Sequence, residues 1–90
     1  MPQIRYTTSF KKDVKLCKKR GLKIEKLKSI IVALEFSQKL PLKNKDHNLI
    51  GNWAGCRECH IEADWLLIYR KLGDIVELAR TGSHSDLFSK

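Results

Sequence analysis

Apolar and polar positions change period along this chain. In PQIRYT (residues 2–7) Ile4 and Tyr6 alternate with Gln3 and Arg5, the two-residue repeat of a short strand. The hydroxyls of the following TTS offer a helix N-cap. Phe10, Val14 and Cys17 then recur at helical spacing as far as Gly21, a natural stop. Ile24, Leu27, Ile30, Ile31 and Leu34 form the stripe of a second helix. That helix ends before Pro41, because proline disfavours helix in the residue ahead of it. The tight connection between the two predicts a helical hairpin.

The pattern changes after Pro41. PLKNKDHNLIGNW is polar and broken by turn formers, so it reads as loop, with DHNLIG a short extended piece. GCRECHI alternates as a strand does, and DWLLIYRK is apolar enough for a strand buried on both faces. LGD is a hairpin signal, and IVELART is the returning strand. The order is β-α-α-β-β-β with a tail able to form a last helical turn. It predicts an α+β fold, a mainly antiparallel sheet with both helices on one side. The other side of the sheet must be covered or used.

Ninety residues make one domain, 1–90, near the low end of what folds without disulfides or metal. No apolar run approaches the roughly 18 residues that span a bilayer, so no membrane partner is expected. The start, MPQIRYTTSFKK, lacks a signal-peptide core, so the expected compartment is the cytosol. Charge alters the picture more. Eighteen basic against ten acidic side chains leave +8, a surplus that attracts nucleic acid, a membrane surface or an acidic protein. Half of the cations fall between Lys11 and Lys28, beside only Asp13 and Glu25. That stretch alone is equally well a solvated helical face.

Candidate chemistry sits in the second half. Cys56-Arg57-Glu58-Cys59-His60 spells CxxCH, a haem-attachment string. On a strand, however, alternation sends Cys56 and Cys59 to opposite faces, where they grip neither a haem nor a zinc ion. The three cysteines read as small buried or semi-buried residues. Alternation also puts Cys56, Glu58 and His60 on one face, with Arg57, Cys59 and Ile61 on the other. On the last strand it groups Val76, Leu78 and Arg80 against Glu77, Ala79 and Thr81, with Arg80 turned towards a cleft. His47, His60 and His84, with carboxylates and Arg80, suit RNA cleavage by the RNA's own 2′-hydroxyl if they meet in one pocket. Histidine can take or give a proton near neutrality. Arginine would stabilise charge on the phosphorane, and an aromatic such as Phe88 would stack on a base. No metal or other cofactor is required. A lone histidine in a strand is more often structural, and periodicity does not prove that these residues meet.

"SFKKDVK", "KDHNLIGNW", "CRECHIEADWLLIY" and "ARTGSHSDLF" resemble, in order and over nearly the whole chain, the YafQ branch of the RelE/ParE superfamily, toxins of bacterial type II toxin–antitoxin systems. The resemblance implies a RelE-like β-α-α-β-β-β domain. It also implies an mRNA endonuclease acting on message in the ribosomal A site, silenced by a cognate antitoxin. His84 matches the principal proton-transfer group; His47, His60 and Asp64 match other members of the acid–base and charge network. Arg80 matches the phosphate-binding cation and Phe88 the stacking aromatic, and Glu58 fits an accessory carboxylate. With His60 and Asp64 four residues apart across a predicted turn, Asp64 is expected to orient or charge-tune an imidazole. Arg57 joins the cations assigned to RNA, while Lys43 and Lys45 either hold phosphate or are solvated charges. Trp53 and Trp65 are core or cleft-wall anchors. Cysteines at 56 and 59 depart from the aromatic or small residues usual in relatives. Three rivals stand beside the nuclease: a ParE-like gyrase poison, which needs no histidine pocket, a non-catalytic basic RNA-binding module, and a CxxCH haem or metal protein.

Overall fold

The structure, a computed structural model, describes residues 2–88. Its elements run β1 (Gln3–Tyr6), α1 (Thr8–Lys19), α2 (Ile24–Glu35), a 3-10 turn (Leu42–Asn44), β2 (His47–Asn48), a second 3-10 turn (Gly51–Trp53), β3 (Arg57–Glu62), β4 (Trp65–Leu72), β5 (Ile75–Gly82) and α3 (His84–Phe88). The five strands form one sheet in the order β1-β5-β4-β3-β2. β1 pairs parallel with β5, and every other pairing is antiparallel. The predicted α+β layout therefore holds, with β2 as an added edge strand. Among the described residues no helix is long and apolar enough to cross a membrane.

The helices start and stop where local chemistry dictates. The Thr7 hydroxyl caps α1 by accepting the Phe10 N–H at 3.0 Å. At its other end Gly21, at φ 77°, and Leu22 donate to the carbonyls of Lys18 and Cys17. This paired arrangement needs a left-handed residue at its centre. Ser37 closes α2 in the same way at φ 56°, so that helix stops at Glu35, well short of Pro41.

β4 is the centre of the molecule. Residues Leu66 to Tyr69 are all 0% exposed, so both faces of the strand are covered. Trp65, Leu67 and Tyr69 meet Phe10, Cys17, Leu27, Ile30 and Leu34 under the two long helices. Leu66 and Ile68 meet Leu87, Leu49, Trp53, Cys56 and Ala79 on the other side. Each large apolar side chain buried this way contributes about 1.5–3 kcal/mol, so the smaller second cluster holds the sheet's reverse face less firmly. Cys59 lies in the first cluster and Cys56 in the second, on opposite faces as alternation requires.

One expectation is overturned in β5. Tyr69 pairs with Leu78, but Ile68 pairs with Arg80, so Ala79 is the extra residue of a β-bulge. Val76 and Leu78 face the helices. The bulge then shifts the alternation by one, and Arg80 shares the reverse face with Ile68 instead of following Leu78. Thr81 moves the opposite way, pairing with Leu67, and its hydroxyl takes the Trp65 indole N–H at 2.9 Å. Strict period-two reading cannot see an inserted residue.

Candidate active site

β2 and β3 bring the first histidines together by register. His47 lies opposite Glu58, so their side chains share a face, and His60 follows Glu58 on that face two residues on. Glu58 is 5% exposed. Its Oε1 stands 3.5 Å from His47 Nε2 and 3.4 Å from His60 Nε2, ion-pairing distances to both rings. One outer contact fixes the His47 ring and another holds the backbone at His60. His47 Nδ1 lies 2.6 Å from the Lys45 carbonyl, to which it can only donate. Asn44, buried in the first 3-10 turn, donates to the His60 carbonyl at 2.7 Å.

α3 carries the third histidine over the same surface. After Gly82 the chain forms a reciprocal cap, in which the Ser83 hydroxyl accepts the Asp86 N–H and the Asp86 carboxylate accepts the Ser83 N–H. Arg20, at the end of α1, grips both carboxylate oxygens of Asp86 at 2.6 and 3.2 Å. Arg20 and the Ser83 amide hold the Asp86 carboxyl well below the usual carboxylate range. Leu87 anchors the helix in the second cluster. A terminal segment of one turn is thereby pinned at three points.

Pinning α3 sets His84 and Phe88. The His84 ring lies 5.8 Å from that of His60 and 6.3 Å from that of Phe88, centroid to centroid. Asp64, in the β3–β4 turn, accepts both the His84 backbone N–H at 2.9 Å and its Nδ1–H at 2.6 Å. Those two donors lower the Asp64 carboxyl from its ordinary range. With Nδ1 committed to Asp64, His84 presents Nε2 outward, where it has no hydrogen-bond partner among the described residues. The imidazole that Asp64 holds is thus that of His84, not of His60 four residues before it.

Register also places Arg80. Arg80, Ile68, Glu58 and His47 form one row across β5, β4, β3 and β2. Neighbouring strands lie about 4.8 Å apart, so the Arg80 and Glu58 backbones are separated by roughly 10 Å on one face. The buried Ile68 between them is the apolar floor.

The remaining RNA-assigned cations are divided. Lys43 and Lys45 rim a cavity of about 420 Å³ that has His60 in its wall. Arg57 points to the helix side of β3, beside its register partner Tyr69, and donates to Asp46 at 3.2 Å and Asn48 at 2.7 Å. The structure therefore gathers His47, Glu58, His60, Asp64, His84, Phe88 and Arg80 on one face and leaves Arg57 off it. Three residues were missed by sequence reasoning: Asn44, Asp86 and Asp13, which binds Arg80 from α1. Only Asp13 left a trace, as the sole acid among the cations of α1.

A family described as "Bacterial toxin of type II toxin-antitoxin system, YafQ" matches residues 2–89. The chain belongs to the YafQ family. It is 42% identical over 86 residues to the mRNA interferase toxin YafQ of Escherichia coli K12, covering 94% of each chain. The toxin in the crystal structure of the E. coli DinJ–YafQ toxin–antitoxin complex superposes with a TM-score of 0.89 at 41% identity, over 97% of each chain. A metal-bound toxin from Helicobacter pylori gives a TM-score of 0.91 at 38% identity, over 98% of this chain and 100% of that one.

Proposed function

We propose that this protein is the toxin of a type II toxin–antitoxin pair and an mRNA endoribonuclease that uses the RNA's own 2′-hydroxyl as nucleophile. The observation that carries the mechanism is the contiguity of three imidazoles, with Glu58 between two of them and His84 oriented by Asp64. One imidazole removes the 2′-OH proton as the oxygen attacks phosphorus, and another protonates the departing 5′ oxygen. The products are a 2′,3′-cyclic phosphate and a 5′-hydroxyl. His84, with Nε2 outward, serves one of these roles, and the His47–His60 pair serves the other. Arg80 neutralises the phosphorane, Phe88 stacks on a flanking base, and Lys43 and Lys45 hold the strand beside His60. Such a protein works in the cytosol on translated message, with the ribosome presenting the strand. An antitoxin with acidic segments suits the +8 surface. The DinJ complex of the E. coli relative supports a partner of that kind.

The test is cleavage of a defined mRNA in EDTA by the wild-type protein and by His84→Ala, with and without ribosomes, with the new ends mapped. Cutting by wild type alone, leaving cyclic or 3′-phosphate and 5′-hydroxyl ends, is the expected outcome. The metal-bound relative makes the chelator arm necessary. Activity lost in EDTA and restored by a divalent ion overturns the metal-free mechanism. No cutting by folded wild type under any condition sends the reading to gyrase, which a supercoiling assay decides.

A further inference from the structure

We infer that Asp13, on α1, is a positioning residue for the phosphate-binding edge of Arg80; this rests on the nuclease reading above. Asp13 Oδ2 accepts the Arg80 Nε–H at 2.6 Å, and Oδ1 accepts from Nη2 at 3.1 Å. The same Oδ2 accepts the Thr81 backbone N–H at 3.1 Å. Thr81 is itself locked, taking the Trp65 indole N–H and donating to the Leu66 carbonyl at 2.7 Å. The carboxylate is thereby tied to the central strand and is a fixed reference for the guanidinium.

The consequence lies in which edge is occupied. A guanidinium has a side edge, Nε with one Nη, and an end edge shared by both Nη groups, and each fits two oxygens. Asp13 takes the side edge. Among the described residues Nη1 has no partner, so the end edge remains for two phosphate oxygens. The bulge at Ala79 puts the side chain on the histidine face, and Asp13 then sets its direction. An arginine side chain has considerable rotamer freedom to lose on binding. Asp13 removes that freedom before substrate arrives, which is how a supporting group raises rate without touching substrate.

A double-mutant cycle tests this, with steady-state cleavage by wild type, Asp13→Asn, Arg80→Ala and the double variant. Asparagine keeps the size and an acceptor oxygen for Thr81 but loses the charge. The expected result is a fall in kcat of about ten- to a hundredfold for Asp13→Asn, with KM changed less than kcat. In the Arg80→Ala background Asp13→Asn should cost nothing further, and Asp13→Glu should recover part of the rate. Equal losses in both backgrounds mean a general structural role and overturn the inference, as does a wild-type rate for Asp13→Asn. Absence of cleavage by the wild-type protein is a different failure, that of the nuclease reading. Should Asp13→Asn not fold, nitrogen NMR of the wild-type arginines decides. Titration with an oligonucleotide carrying a 2′-deoxy sugar at the cleavage site should shift the Arg80 Nη signals and leave Nε–H protected from exchange. Loss of that protection overturns the inference.

Discussion

Glu58 is the residue on which the site converges, a carboxylate buried between two imidazoles. Glu58→Gln keeps its volume and removes its charge, so fold and thermal midpoint should change little. Cleavage should fall about a hundredfold or more, the range for losing an acid–base partner; single-turnover rates check it. Asp64 gives a pH prediction. Its folded pKa lies below the unfolded value, so the pairing with His84 is complete above the ordinary carboxylate pKa and fails as pH falls through the lower, folded value. Both side chains are more than half exposed, so global stability should hardly register this. The chemical shifts of the His84 ring should, and Asp64→Asn should remove the acid limb they show. At this scale the sequence was legible where contacts follow alternation. Glu58 and His60 share a face because they are two apart. Arg80 and Asp13 are 67 positions apart, and no local period connects them.

Among the elements, α3 is the most exposed to disruption, since five residues form no stable helix alone. Gly82 leads into it, and a Cβ there would stand 2.9 Å from Asp86 Oδ2. Gly82→Ala should push Asp86 out of its cap and cost about 1–3 kcal/mol, read in denaturant melts, with a larger loss of cleavage than of stability. Arg20→Ala removes the same clasp from outside the site. It should speed amide exchange across residues 83–88 while leaving β4 protected. If exchange in α3 does not respond, Arg20 is not what holds it. The final turn was foreseeable in RTGSHSDLF only as a possibility. Its cap pairs Ser83 with Asp86, but its clamp comes from the end of α1, beyond any local window.

Across the whole molecule, charge and topology separate two jobs. α1, which carries five lysines, packs Phe10 and Cys17 on one side of β4, while His47, Glu58 and His60 share the strand's other side. RNA held by this surface should be salt-sensitive. With about four phosphates neutralised, affinity for single-stranded RNA should fall roughly fiftyfold between about 50 and 200 mM salt, measurable by titration of a 2′-deoxy analogue. A flat salt response would remove the cations from the binding surface. The α+β arrangement was legible because β4 is apolar from Trp65 to Tyr69 and the helices carry clear stripes. The parallel pairing of β1 with β5 was not, because partner choice between strands far apart in sequence leaves no periodic trace. The bulge at Ala79 has one more consequence, for how such a chain can change length. Residues 75–78 keep step with the helices and residues 80–82 with the histidines, and Ala79 is the slack between them. Losing that codon would leave both halves in their present pairing, whereas losing Glu77 or Thr81 would turn part of the strand over. A library of single-codon deletions through β5 should therefore yield folded protein at Ala79 and at neither of the other two.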